Sequence, residues 1–550
     1  MDRRQFLRAF PVFLAGSASL LSRCQRVPIR PIPGSIVNPS IPGHLLRQGR
    51  ADFPPPRGPL YDAAIIGGGI SGLGAAWRLH KAGVENLLLL ELGEEPGGTA
   101  LAGAMQGAVF PWGAHYINIP PAEADCIHEI LQDLGIITGY DAAGRPQVAP
   151  QHLLRWPHER LFAEGRWVED LDPFADAPAS EVELLRQFED EMLRWTLHRG
   201  RDGRRAFAVP LRYSTRDSAV RELDRITMQE YLRRKGWDSR RLDWLVDYAC
   251  RDDYGTPLAQ TSAWAGIHYF ACRFYDRRLR DQYPPDTLTW PEGNAFLAQR
   301  LAERLAPEQL RLHTAVLRVE PGEDEVRLGC LDWRAEEVFS VRAKSAVYAG
   351  KLHTVPYVVQ GMPAPQRRDM EGLRYCAWLV AAVQISRLPQ GQGAPLAWDN
   401  VLFDSPSLGY VAAGHQQPRQ EEGGVLVYHL PFVRQVEQAR QELLSRDHRF
   451  WVERIVQDLR PAHPDIEEVI ERIDLYRWGH AMVQPFPGVI WGEESPWRER
   501  PCNGVSFATC DTTGLPLFEE SCYAGVRAAE ESLGRLGVSF STSLKGSADA

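Results

Sequence analysis

The stretch Tyr61-Asp-Ala-Ala-Ile-Ile-Gly-Gly-Gly-Ile-Ser-Gly72 decides how the fold is read. Its apolar residues, ending in Ile65 and Ile66, predict a buried strand that runs into a glycine turn, and the turn opens a helix. Gly67, Gly69 and Gly72 stand at G-x-G-x-x-G spacing. The first glycine permits the tight turn, the second lets a pyrophosphate approach the backbone, and the third lets the helix lie flat on the sheet. Ile70 and Ser71, between the glycines, are read with them as cofactor-binding positions. Leu73, Ala75, Ala76 and Leu79 give the helix a small, apolar face, and Gly83 ends it. A second apolar strand, Leu87 to Leu90, ends in Glu91. A carboxylate at that tip accepts hydrogen bonds from a ribose diol. Strand, turn, helix and terminal acid together predict a dinucleotide site, but they do not separate NAD from FAD.

The next residues bear on that choice. Gly97-Gly98-Thr99 follows the acid closely, and Trp112-Gly-Ala-His-Tyr116 comes soon after. Here the chain resembles the flavin amine oxidase, protoporphyrinogen oxidase and phytoene desaturase superfamily. The far end of the chain carries a second likeness. A strand from Val505 to Thr509 is followed by Cys510-Asp511, Leu517-Phe-Glu-Glu520 and a helix from Ser521 to Leu533. Two motifs in the right order at opposite ends argue for FAD over NAD.

The resemblance implies an α/β fold: a Rossmann-like FAD-binding domain of the glutathione-reductase type, with a discontinuous α+β substrate domain. It implies non-covalent FAD held by Gly67, Gly69, Ile70, Ser71, Gly72 and Glu91. Gly97, Gly98 and Thr99 would stand near the same phosphates, and Gly113, Ala114 and His115 beside the flavin. Val316 would contact adenine through its backbone, Ala349 would end a strand at the cofactor, and Asp511 would lie by the ribityl–pyrophosphate region. Phe518 belongs to the approach of the last helix, whose N-terminus stabilises negative charge on a reduced flavin ring.

The order of motifs gives the domain plan. Residues 61–120, 288–360 and 466–537 are assigned to the FAD-binding domain, and 121–287 and 361–465 to the substrate domain. Residues 26–60 contain Pro28, Pro31, Pro33, Pro39, Pro42 and Pro54-Pro-Pro56, which favour an extended linker. Residues 538–550 are polar and small and are read as a disordered tail.

The N-terminus, residues 1–25, is read as an address. Asp2-Arg-Arg-Gln-Phe-Leu-Arg8 matches the twin-arginine export pattern, and the apolar run from Ala9 to Leu21 is shorter than the roughly 20 residues that span a bilayer. The expected partner is the twin-arginine translocase and the expected location the periplasm. That route carries folded proteins, which suits an enzyme that takes up its flavin in the cytosol. Cys24 is a candidate lipid-attachment site and hence a membrane anchor, although Arg23 departs from the small residue such a site wants.

Composition excludes other classes. The 550 residues are 44% hydrophobic and 24% charged, an ordinary globular balance long enough for two or more cores. A net charge of −9 with no long basic run argues against a nucleic-acid partner. The nine cysteines form no C-x-x-C and no ligand cluster, so no metal is expected.

Catalytic candidates are fewer. Many amine oxidases of the superfamily place a lysine near flavin N5, and Lys351, just after Ala349-Gly350, is the candidate here. His115 lies in the segment set against the flavin. His480 falls where some relatives carry a cysteine joined to the flavin, which again points to a non-covalent cofactor. Monoamine oxidases enclose the amine between two tyrosines; the approximate matches here are Ala481 and Leu517. The expected activity is transfer of hydride from a small molecule, such as an amine, to the flavin, with oxygen, a quinone or a protein carrier as electron acceptor. The alternatives are a desaturase or isomerase of a lipid-like polyene, and a flavin-binding assembly protein without turnover. Acidic residues in the cavity would favour an amine; a wholly apolar tunnel would favour a lipid.

Overall fold

Strand Leu60–Ile66 is buried on both faces from Ala63 to Ile66, as expected of a strand flanked by parallel neighbours. Those neighbours are Leu87–Leu90 on one side and Glu337–Tyr348 on the other. Across the sheet the order is Leu310–Arg311, Leu87–Leu90, Leu60–Ile66, Glu337–Tyr348, Val326–Asp332, Thr314–Glu320. The first half of Glu337–Tyr348 is antiparallel to Val326–Asp332, and its end is wedged between Leu60–Ile66 and the parallel strand Val505–Phe507. Ile66, Leu90, Tyr348 and Phe507 therefore end on one edge, where open α/β sheets bind their ligands. The computed structural model describes residues 29–38, 41–49, 52–105, 107–142, 144–272, 287–416, 423–493 and 497–547. The twin-arginine pattern and Cys24 lie outside the described residues.

Helix Ile70–Lys81 packs against the last helix, Phe518–Leu536. The contact depends on a missing side chain, because a β-carbon on Gly525 would stand 2.2 Å from the Ser71 carbonyl oxygen. The helix starts at Phe518, three residues earlier than read from the sequence, so its free N–H groups fall closer to the strand edge.

The second sheet runs Ile470–Val483, Tyr375–Ile385, Gly424–Phe432, Tyr410–Ala412, Asp399–Leu402, Glu159–Ala163, Arg166–Glu169. Tyr375–Ile385 is buried along its whole length. Helices Ala179–Leu197, Arg240–Tyr254 and Ala263–Ala271 build a separate aromatic-rich core.

Three boundaries differ from the sequence reading. Ile470–Val483 belongs to the second sheet through its antiparallel ladder with Tyr375–Ile385, not to the FAD domain, which the chain rejoins only after Val483. Residues 26–60 are not a plain spacer. Ile36 bridges to Leu475, and the backbone and hydroxyl of Ser35 donate to Asp474. Ile41–Gln48 is a helix; Pro42 is tolerated because it sits in the first turn, where no intrahelical N–H bond is lost. The tail is docked as far as residue 547. Arg78 donates to the Ser541 carbonyl, Ser543 donates to Glu530 and Glu129, and Leu544 is buried.

Among the described residues, no helix is long and apolar enough to cross a membrane. The eight described cysteines are buried, and no metal-binding cluster occurs among the described residues.

Candidate functional site

The strand edge opens into a cavity of about 940 Å³. Gly67, Gly69, Ile70, Ser71, Glu91, Gly97, Gly98, Thr99, Gly113, Ala114, His115, Val316, Ala349 and Phe518 all line it. Two of the predicted cofactor residues do not. Gly72 is where helix meets strand: a β-carbon there would lie 1.9 Å from the Gly67 carbonyl oxygen. Asp511 is fully buried behind the wall.

One end of the cavity is a clasp of two glycine turns. Gly97 donates its N–H to the Gly68 carbonyl at 2.8 Å and bridges Gly69. A β-carbon on Gly69 would meet only the Gly98 Cα at 3.8 Å, so this residue faces open space. The first N–H groups of helix Ile70–Lys81 look into that space, the arrangement that binds phosphate. Glu91 accepts from the N–H groups of Gly68 at 2.5 Å and Gly93 at 2.7 Å. Burial nevertheless pushes its carboxyl above the usual range, against the pull of those bonds. Each oxygen keeps a lone pair for a ribose hydroxyl. Glycine clasp, helix terminus and carboxylate fit a dinucleotide.

Beyond the clasp, Ala114 donates to the Thr99 carbonyl at 2.9 Å, which ties Gly113–His115 to the second glycine turn. Opposite stand Thr509, Cys510, Leu517 and Phe518, with the N-terminus of the last helix. Adenine-side, phosphate-side and ring-side elements thus share one cavity.

The family comparison agrees with this geometry. Residues 70–533 match the family described as flavin containing amine oxidoreductase. The chain belongs to that family. It is an FAD-dependent oxidoreductase, and its FAD is held non-covalently. Compared by sequence with curated proteins, the chain finds no match. Its fold is similar to that of putrescine oxidase bound to putrescine, at TM-score 0.65 and 17% identity over 86% of this chain and 99% of that one. Cyclohexylamine oxidase from Brevibacterium oxydans IH-35A superposes at TM-score 0.62 and 17% identity, covering 87% and 100% of the two chains. A CLA-producing fatty acid isomerase from P. acnes superposes at 0.58 and 15% identity, covering 86% and 98%.

The amine-oxidase-like cavity gathers the three catalytic candidates into two groups. Lys351 donates to the Ala481 carbonyl at 3.0 Å and stands 3.7 Å from Asp511, with its ammonium 5.7 Å from the Tyr375 ring centre. Burial works against that ammonium, but Asp511 and then Cys510 outweigh it and hold its pKa above the ordinary value. Asp511 also accepts from the Tyr375 hydroxyl at 2.7 Å and the Leu352 N–H at 3.0 Å. Its carboxylate holds Lys351 and Tyr375 in place from behind the cavity wall.

His480 belongs to the same group. Its ring stacks on His353 at 4.2 Å, and Tyr375 is 5.9 Å away. Burial, reinforced by His353, Arg440, Arg47 and Lys351, pulls its pKa down to about 2. Arg440 is committed to the carbonyls of Gly479 and Tyr375.

His115 lies in the second group, stacked on His429 at 4.9 Å and flanked by Tyr116 and Trp398. Its Nδ1 is 3.1 Å from the Gly113 carbonyl. Burial lowers its pKa to about 4, the bond to Gly113 opposing. The Tyr116 hydroxyl donates to Asp252 at 3.2 Å, and Asp252 and Asp253 both line the cavity.

Sequence reasoning missed Asp252, Asp253, Tyr375, His353 and His429. The run Arg251-Asp-Asp-Tyr-Gly255 is conspicuous in the sequence, but only the fold brings it against Tyr116. Ala481 and Leu517 line the cavity where a tyrosine pair would stand, so the monoamine-oxidase cage is absent at those positions.

Proposed function

We propose that this enzyme oxidises a cationic amine at the carbon next to nitrogen. The observation that carries the reading is the pair Asp252 and Asp253 in the wall of the flavin cavity, since carboxylates in a low-dielectric cleft concentrate cations. A polyene tunnel has no use for two carboxylates. When bound, FAD supplies the hydride acceptor at N5 and passes the electrons to oxygen, a quinone or a protein carrier. The chain's own residues orient, exclude water and set charge. Asp252 and Asp253 attract the ammonium, Tyr116 is fixed by Asp252, and the second sheet closes the cavity with Trp378 and Val380. Lys351, held by Asp511, is a fixed positive charge in the wall beside Tyr375, and we assign it to the reoxidation half-reaction. We also propose export through the twin-arginine translocase to the periplasm, with Cys24 as a candidate lipid anchor; the Arg3-Arg4 pattern supports this.

The test is anaerobic bleaching of the flavin against a panel of amines, amino acids and polyenes. Reduction by amines is expected. Reduction by polyenes with no response to any amine would overturn the reading.

A further inference from the structure

Among the described residues, the cavity wall contains buried polar atoms that their own neighbours leave unmatched, on Asn294, His353, Trp378 and His429, and of these only His429 stands against His115. His429 is 5% exposed, lines the cavity, and its Nε2 has no hydrogen-bond partner. Stranding such an atom is costly, so buried polar atoms are nearly always paired. His429 also stands beside a second imidazole, stacked on His115 with planes 24° apart. The two rings come from different parts of the fold. His115 rides on the segment tied to the glycine clasp, whereas His429 is fixed in Gly424–Phe432 by its backbone N–H to Gly409 and its carbonyl to Leu408.

The hydrogen-bonding state of the pair follows from its contacts. The Gly113 carbonyl can only accept, so His115 Nδ1 carries the proton. In the neutral ring its Nε2 then carries a lone pair. Burial keeps both rings neutral near pH 7, and His115 further disfavours charge on His429. The lysine and arginine side chains of the cavity belong to other groups: Lys351 to Ala481 and Asp511, Arg440 to Gly479 and Tyr375, and Arg47 to the Tyr357 ring. A carboxylate at the imidazole pair would find no cation to match it. A purely hydrocarbon group would leave His429 Nε2 stranded.

We infer that His115 and His429 form a subsite for an uncharged group that both donates and accepts hydrogen bonds, a hydroxyl or an amide, carried by the substrate. Such a group donates to His115 Nε2 and pairs with His429 Nε2. The inference rests on the amine reading for the rest of the substrate: the carboxylates take the ammonium and the imidazoles read the second functional group. Asp252 is bound to Tyr116, next to His115, so the two subsites adjoin. His429 is then a specificity-determining residue.

The experiment uses the FAD-loaded enzyme and matched ligands: amino alcohols of four to six carbons, and the alkylamines in which a methyl group replaces the hydroxyl. Binding is followed by perturbation of the flavin spectrum, and reduction by anaerobic bleaching. The wild type should bind the amino alcohol about 10-fold or more tightly than its alkyl partner, within the range that one stranded buried polar group implies. His429→Phe keeps a ring for the stack and removes the nitrogens; its preference should collapse towards unity while the FAD spectrum and content stay normal. An alkylamine preference in the wild type, binding of neither ligand, or a preference unchanged in His429→Phe would overturn the subsite. The wild-type comparison stands even where the variant fails to fold. Absence of bleaching with every amine, alongside a retained binding preference, would instead overturn the amine reading alone.

Discussion

Gly69→Val separates folding from cofactor binding. Gly69 has φ −72° and ψ −179°, an extended conformation that valine adopts readily. Its β-carbon would meet nothing closer than Gly98 Cα at 3.8 Å. The variant should therefore fold, with FAD-free stability within about 0.5 kcal/mol of the stripped wild type. The added methyl groups would occupy the space between the helix N-terminus and the second glycine turn. Loss of two charge-assisted bonds from that terminus, at about 1.5–3 kcal/mol each, amounts to about 3–6 kcal/mol, or roughly 10²- to 10⁴-fold in the FAD dissociation constant. Flavin absorbance after purification and FAD titration of the stripped protein give the affinity; thermal melting gives the fold. Gly72→Ala should show the opposite pattern, because its β-carbon would lie 1.9 Å from the Gly67 carbonyl oxygen, an overpacking that costs about 1–3 kcal/mol or more of stability. A Gly69→Val protein with normal FAD affinity, or one that melts like Gly72→Ala, would refute the reasoning.

Asp252→Asn should raise KM for amines about 10-fold with a smaller change in kcat, and should weaken the salt dependence of amine binding; a KM that does not move removes Asp252 from substrate attraction. The imidazoles of His115 and His353, held at about 4, and of His480, held at about 2, are depressed relative to about 6.5 unfolded. The unfolded chain thus binds protons that the folded one refuses, and the stability of the FAD-free protein is full above about pH 6.5 and falls as the pH is lowered towards 4. The loss is at most about 1.4 kcal/mol per pH unit for each ring, and melting of wild type against His115→Gln across that window checks it. Lys351→Met should slow reoxidation of the reduced flavin by oxygen and leave anaerobic reduction nearly unchanged; equal slowing of both would place Lys351 in another role. Arg3→Lys with Arg4→Lys should leave the protein in the cytosol, since the pair is read as arginine and not as charge; normal export would refute the signal.

Local motifs were legible and long-range partnerships were not. Gly67 to Gly72, Glu91 and Gly97–Thr99 announce themselves because their chemistry depends on backbone spacing over a few residues. Ile470–Val483 was misassigned because Glu471, Arg472, Asp474 and Arg477 break the alternation of a strand, and the ladder with Tyr375–Ile385 that overrides the pattern is formed with residues far away in sequence. Pro42 disguised a helix that tolerates proline only because it falls in the first turn. Asp511 was found but its place was not: the acid at the strand end turns inward to Lys351 and Tyr375. His429 carried no signal at all, since an isolated histidine in an apolar strand acquires meaning only beside His115.

The reach of Ser35 to Asp474, 439 residues along the chain, sets a clock on assembly. At about 5–20 residues per second, a ribosome takes roughly 20 to 90 s to travel that distance. Until Tyr348 is made, Leu60–Ile66 lacks Glu337–Tyr348, its partner on one side, and so presents an apolar edge open to mispairing. Enclosure of the flavin ring must wait for Phe518 and its helix, which places cofactor loading after synthesis is nearly complete.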